Sequence, residues 1–276
     1  MKEALHALVE RASTPQQALC QVREYLQARL LGGIQRAGGM VALAFHGGTA
    51  LRFLYRLPRY SEDLDFALER AAPDFALRGF AEPSVRELRA EGYSLRVRLV
   101  ARTAVHAAWF RFDGLLHELG LSPHAGQALS IKIEVDTRPP AGAVCTTSVV
   151  RRHLVLHLHH HDRASLLAGK LHAILQRAHA KGRDFFDLLW YLADPTWPEP
   201  NIMLLRNALR QTGFAGTLPT ASSWPRLVSD RLASLDWKRI SADVEPFLEP
   251  GADADALTPA NLMRLLEARL RATTDH

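Results

Sequence analysis

Apolar residues recur every three to four positions through the first part of the chain: Leu5, Leu8 and Val9, then Ala18, Val22, Tyr25, Leu26 and Leu30. That period puts them on one side of a helix, and Ser13-Thr14-Pro15 interrupts it with a helix-start signature. Two packed helices are predicted over residues 1–38. Val41 to Phe45 is a short apolar run that reads as a strand, and Leu51, Leu54 and Tyr55 return to helical spacing until Pro58 stops it. Asp63-Leu64-Asp65-Phe66 then alternates polar with apolar, the signature of a half-buried strand. From Glu69 to Pro83 the chain reads as a loop, with Arg78 to Phe80 open to structure. A helix is expected from Ser84 to Glu91, ended by Gly92.

Three more strands follow from alternation: Tyr93 to Arg102, Ala107 to Phe112, and Leu129 to Asp136. Pro139-Pro140-Ala141-Gly142 is a turn or linker, and beyond about residue 160 the pattern is helical. Helices are predicted over Ala164 to Ala178, from about Gly182 through Leu192, and over 201–211, 224–235 and 258–271. The expected fold is α+β: a mixed β-sheet domain with N-terminal helices over residues 1–160, then a helical domain over 161–276.

Composition changes this picture little. Of the 276 residues, 47% are hydrophobic, enough to bury a sizeable core. No apolar run approaches the ~20 residues of a membrane helix, and the start of the chain carries Glu3 and Glu10 where a signal peptide would be apolar. A cytoplasmic protein with no membrane partner is expected. Cys20 and Cys145 lack the spacing of a zinc site or a disulfide framework. A net charge of +5 and a pI near 9.5 favour a phosphate-bearing partner only slightly. Arg96, Arg98 and Arg102 give one strand a basic outer face, for which simple solvation is the plainer reading. Arg206, Arg210, Arg226, Arg231, Lys238 and Arg239 read the same way. His157, His159, His160 and His161 offer imidazoles, but a run of adjacent residues splays its side chains to opposite faces, so surface positions before a helix are expected instead of a metal site.

Candidate chemistry lies in two stretches. Gly47-Gly48-Thr49 forms a strand-to-helix turn whose backbone N–H groups could face a phosphate. On the next strand Asp63 and Asp65 share a face, about 7 Å apart along the backbone. Paired carboxylates attract hard divalent cations, and Mg²⁺ favours one or two of them together with substrate phosphates. A solvated strand edge produces Asp-x-Asp too. In the second stretch Lys170, Ala173, Ile174 and Arg177 share one side of a helix, while Asp184 and Asp187 lie near the start of the next. The helix dipole and ion pairs to Lys170 or Arg177 would by themselves account for these acids.

Gly47-Gly48-Thr49, a short helix and Arg59-x-Ser61-x-Asp63-Leu64-Asp65-Phe66 together resemble the signature of the DNA polymerase beta-like nucleotidyltransferases. Within them the chain resembles the AbiEii-type toxins of type IV toxin–antitoxin systems. The block from Leu167 through Lys170 to Arg177, followed by Arg183-Asp184-x-x-Asp187-Leu188, is similar to a second block of those toxins, in the same order. The resemblance implies a Mg²⁺-dependent enzyme, Mn²⁺ being an alternative, that moves an NMP from an NTP to an RNA. The expected acceptor is the 3′ end of tRNA, with translation and growth inhibited as the result. It implies Asp63 and Asp65 as metal ligands and Gly47, Gly48 and Thr49 beside the triphosphate. Glu134 is the expected third metal ligand from a neighbouring strand, with Asp136 second, although an exposed charged strand face explains both. Lys170 would neutralise the triphosphate from the helical domain, across a cleft, and Asp184 would orient Lys170 or the acceptor. Ser61 stands where some relatives carry a hydroxyl that their antitoxin phosphorylates, and its plainer role is to cap backbone groups before the strand. A nearby-encoded antitoxin and a monomeric toxin are expected. Two other functions fit the same residues: a nucleotide-binding regulatory module and a nucleotidyltransferase acting on a small molecule.

Overall fold

The computed structural model describes residues 2–69 and 75–274, and the chain divides into two compact units. The first comprises residues 1–56, 60–139 and 146–160; the second comprises 57–59, 140–145 and 161–276.

The first unit opens with helices α1 (Lys2–Arg11) and α2 (Pro15–Arg36). Thr14 caps α2 by accepting from the Gln17 N–H at 3.1 Å, and Pro15 follows at a position where its missing N–H costs nothing. Strand β1 (Leu43–His46) runs directly into α3 (Gly47–Tyr55), and β2 (Leu64–Leu68) follows. Helix α4 (Leu77–Ala90) comes next, then β3 (Leu95–Val100), β4 (Val105–Phe112), a single turn α5 (Leu115–Glu118) and β5 (Leu129–Asp136). Strands β6 (Cys145–Arg152) and β7 (Leu154–His161) are joined by His153 alone, which takes the left-handed conformation at φ 58°. All seven strands form one sheet in the order β3-β4-β5-β2-β1-β7-β6. It is mixed: β1 is antiparallel to β2 and parallel to β7, β2 is parallel to β5, and β3, β4 and β5 run antiparallel.

One face of this sheet is the core. Phe45, Phe66 and Val135 stand in register across three strands, as do Leu64, Ile133 and Ala108, and all are buried. Leu26, Leu30 and Leu31 of α2 are fully buried, and α2 packs on both α4 and β5. Because strand side chains alternate, this apolar face leaves residues 63, 65, 132 and 134 on the other side.

Three expectations are corrected here. The loop predicted up to Pro83 is helical from Leu77, although Pro83 lies inside α4 and cannot donate its hydrogen bond. Leu77, Ala81, Ser84 and Leu88 fall on one buried stripe, and that burial sustains the helix through the proline. The part of the expected loop at 70–74 lies outside the described residues. Second, the β6 and β7 pair was not predicted as strands. Third, the histidine run is not a surface feature throughout: His160 is fully buried and bonds the Ser148 hydroxyl at 2.9 Å, and His161 is buried as well. β7 is an inner strand, flanked by β1 and β6, so its side chains are covered.

The second unit is helical. It contains α6 (Arg163–Gln176), α7 (Gly182–Ala193), α8 (Ile202–Gln211), α9 (Trp224–Leu232), α10 (Trp237–Val244) and α11 (Pro259–Thr274). Asp162, Asn201 and Asp236 cap α6, α8 and α10 through their side chains. Helix α10 was not predicted; it packs on α7, with Trp237 edge-on to Phe185 at 6.0 Å. At that crossing a Cβ on Gly182 would lie 1.9 Å from the Ile240 carbonyl oxygen, so only glycine permits the approach. Trp197 packs edge-on against Trp190 and Tyr191, with centroids 4.7 and 4.4 Å away. Among the described residues no helix is long and apolar enough to cross a membrane.

Candidate active site

The first unit brings together Gly47, Gly48, Thr49, Asp63, Asp65 and Glu134. His46 and Asp65 are register partners across β1 and β2, and Asp65 and Glu134 are partners across β2 and β5. Neighbouring partners share a face, so the Asp65 and Glu134 side chains project on the same side from strands spaced about 4.8 Å apart. Asp63 precedes β2 by one residue and lies on that side by alternation. Glu134 therefore stands directly beside Asp65, and Asp136 does not. Asp136 pairs with Ala67, one step further along, and its carboxylate accepts the Arg138 N–H at 2.9 Å.

Gly47 holds this corner closed. It sits at φ 78°, and a Cβ on it would lie 2.6 Å from Asp65 Oδ2, so the turn is packed against the carboxylate and any side chain there would have to displace it. The same turn aims the N-terminus of α3 toward the acids, and the His46 side chain makes no capping bond there. The Thr49 side chain has a structural part beside the phosphate contact expected of its N–H. It is fully buried and its hydroxyl donates to the Asp63 carbonyl, so its side chain fixes the Asp63 backbone, and only its N–H remains for a phosphate. On the far side of that segment Gln27 of α2 donates to the carbonyls of Ser61 and Glu62 at 3.0 and 2.9 Å. The approach to β2 is thus pinned from two helices. The Ser61 hydroxyl makes no hydrogen bond among the described residues, so the capping role expected of it is not seen, and Gln27 holds the backbone instead.

Lys132 was not foreseen here. Its ammonium lies 2.6 Å from Glu134 Oε1 and 4.9 Å from the centroid of the Trp109 ring. The ion pair engages one oxygen and leaves Oε2 as a donor, since an ionised carboxylate has about four acceptor sites. The donor set of Asp63, Asp65 and Glu134 is all hard oxygen. It fits a Mg²⁺-type cation and suits a soft metal poorly.

The second unit brings together Lys170, Asp184, Asp187, Arg177 and Arg59. Lys170 Nζ is 3.1 Å from Asp184 Oδ1 and 2.6 Å from Asp187 Oδ2, so one ammonium bridges both acids. Arg177, just past the end of α6, binds the other oxygen of Asp184. Arg59 grips Asp187 with Nε and Nη2 at 2.5 and 2.6 Å. Burial by itself would raise the Asp184 carboxyl, but Lys170, then Arg177 and Arg59, hold it below its ordinary value. Lys170 thus meets both aspartates and Arg177 meets Asp184, the ion pairing that would by itself account for these acids. The part of Arg59 was missed because a sequence does not say which distant acid an arginine will reach.

A mixed sheet with an Asp-x-Asp strand beside a glycine turn, followed by a helical unit, is the arrangement of a nucleotidyltransferase. The sequence matches the family model described as "Nucleotidyl transferase AbiEii toxin, Type IV TA system" over residues 29–261, and the chain belongs to that family. Membership implies a nucleotide substrate and a partner antitoxin. Solved structures share the fold. MenT4, the nucleotidyltransferase toxin Rv2826c of Mycobacterium tuberculosis H37Rv, is 18% identical with a TM-score of 0.58, covering 98% of this chain and 89% of that one. JHP933 from Helicobacter pylori is 15% identical with a TM-score of 0.54, covering 91% and 94%. A putative nucleotidyltransferase of H. pylori is 16% identical with a TM-score of 0.50, covering 90% and 95%. No curated protein matches in sequence.

Proposed function

We infer that this toxin transfers a nucleoside monophosphate from an NTP to the 3′ end of an RNA, tRNA being the expected acceptor, and so blocks translation and growth. The observation that carries the reading is the packing of Gly47 against the Asp65 carboxylate, with Glu134 in register beside it. A solvated strand edge would need no such closure. A divalent cation, Mg²⁺ in this reading, would supply charge neutralisation on the phosphates when bound.

The protein's own groups would do the rest. Asp63, Asp65 and Glu134 offer the oxygens that hold the cation, and Gly47 and Gly48 present backbone N–H groups to the phosphates. Thr49 and Gln27 keep the Asp63 backbone fixed. In the second unit Asp184 and Asp187 hold the Lys170 ammonium in place, a point charge of the kind that suits a polyphosphate. The acceptor hydroxyl oxygen bonds to the α-phosphorus as the bond to the leaving pyrophosphate breaks, and the hydroxyl proton is lost to solvent. The remaining demand on the protein is positioning.

The test is to incubate the purified protein with each α-labelled NTP, Mg²⁺ and either total RNA or a set of small metabolites. Label in RNA of tRNA size, abolished by periodate oxidation of the RNA 3′ ends and by EDTA, is expected. Label in a small acceptor instead would overturn the RNA reading, and tight NTP binding without turnover would make the protein a nucleotide-binding module.

A further inference from the structure

The sheet face that carries Asp63 and Asp65 does not end at β5. Register continues it outward: Lys132 pairs with Trp109, and Trp109 with Arg98; Ser130 pairs with Arg111, and Arg111 with Arg96. The neighbours of these residues along each strand, such as Leu95, Phe110 and Ile131, are buried on the other face. By alternation Arg96, Arg98, Trp109, Arg111 and Lys132 therefore stand together on the carboxylate side. Trp109 is 41% exposed, and Arg96 and Arg111 are more exposed still.

An exposed tryptophan alone needs no explanation. What surrounds this one does. On β3 and β4 three arginines share this face with one carboxylate: Arg96 and Arg111 both lean on Asp113, while Arg98 is exposed and meets no acid among the described residues; on β5 Lys132 leans on Glu134. The outer part of the face, on β3 and β4, is net basic around a flat ring, and the same face continues inward to the strands of the proposed metal ligands. Two strand spacings, about 10 Å, separate β4 from β2.

We propose that this face is the acceptor platform, on which Trp109 stacks a base near the end of a single-stranded RNA while Arg98, with Arg96 and Arg111, takes its phosphates. Single-stranded RNA is recognised by this combination, because every base has a flat face and every linkage a charge. The polarity of the sheet supports the assignment. Cations lie outward on β3 and β4 where the strand of RNA would run, and acids lie inward on β2 where its hydroxyl would react. The proposal rests on the nucleotidyl-transfer reading and assigns the residues that would hold its acceptor.

The experiment measures steady-state kinetics with NTP and RNA varied separately, and the affinity of a fluorescent single-stranded oligoribonucleotide in an Asp63→Asn background. Trp109→Ala is expected to raise the acceptor KM about tenfold, with NTP KM unchanged and Trp109→Phe restoring most of the loss. Arg98→Ala is expected to weaken binding and to flatten its dependence on log[salt] by about 0.7, the share of one contact to a single strand. Thermal melts would confirm that these exposed substitutions leave the fold intact. If the wild type transfers to RNA while Trp109→Ala and Arg98→Ala leave acceptor KM and affinity unchanged, the platform is wrong and transfer stands. If the wild type transfers to no RNA but Trp109→Ala still weakens oligoribonucleotide binding, the platform stands and the transfer reading falls. Loss of antitoxin binding with RNA affinity intact would assign the face to the antitoxin and overturn the proposal.

Discussion

Arg59 and Asp187 form a two-point ion pair across 128 residues of sequence, Nε to Oδ1 at 2.5 Å and Nη2 to Oδ2 at 2.6 Å. Both side chains are buried, at 2% and 0% exposure, and Asp187 is shared with Lys170. Removing one partner strands the other charge away from water, which costs about 3–5 kcal/mol. Asp187→Ala is therefore expected to lower unfolding stability by about that amount in urea titration. Arg78→Ala, which breaks an exposed pair with Glu82 on α4, should cost less than about 0.5 kcal/mol. Equal effects would show that the Arg59 pair is solvated and holds nothing.

Gly47 and Gly38 separate backbone strain from contact. They have nearly the same φ, 78° and 77°, but a Cβ meets Asp65 at Gly47 and nothing within 4 Å at Gly38. Alanine at either position carries the left-handed strain, about 1–2 kcal/mol. Only Gly47→Ala displaces the carboxylate, so it alone should abolish transfer, while Gly38→Ala keeps near wild-type turnover at reduced stability. Comparable activities in the two variants would mean that the turn does not position Asp65.

The third ligand is decided by a pair of substitutions. Glu134→Gln should lower kcat at least a hundredfold and raise the Mg²⁺ concentration needed for half-maximal rate. Asp136→Asn should leave both within about twofold, because Asp136 sits beside Ala67 and serves Arg138. The reverse pattern would move the ligand to Asp136.

A buried carboxylate gives the fold an acid limit. Glu24 of α2 is penalised by burial, yet His153, Arg52 and Arg152 hold its carboxyl at about 2. A depressed carboxyl stabilises the folded state above its unfolded value of 4.5, and that stability is lost as pH falls from there toward 2. The shift corresponds to on the order of 3 kcal/mol. Stability measured between pH 6 and pH 3 should fall less steeply in Glu24→Gln than in the wild type. Parallel curves would remove Glu24 from the acid transition.

The parts of the fold that could be read in the sequence are those where one physical demand dominates. Asp63-Leu64-Asp65-Phe66 shows its strand because a single buried face enforces alternation, and α6 and α7 show their helices through long apolar stripes. Cys145 to Arg152 concealed β6, an edge strand that buries only Val150 and so has almost no alternation to display. Pro83 concealed the first turns of α4, because a local breaker was outweighed by tertiary burial. At the candidate site the chemistry-bearing residue types were visible, and their partners were not. Lys132 beside Glu134, Gln27 under Ser61 and Arg59 on Asp187 are products of register and packing that only the folded chain reveals.

The central claim is that the Asp63 and Asp65 carboxylates are the metal-holding acids of a nucleotidyl transfer. It is tested most directly by incorporation of α-labelled nucleotide into RNA by the wild type, Asp63→Asn and Asp65→Asn, with circular dichroism and melting temperature as fold controls. An amide keeps the shape of the side chain but is a far poorer Mg²⁺ ligand. The account expects incorporation by the wild type and loss of at least a thousandfold in each variant, with folds unchanged and growth inhibition relieved. Full incorporation by either folded variant would contradict it.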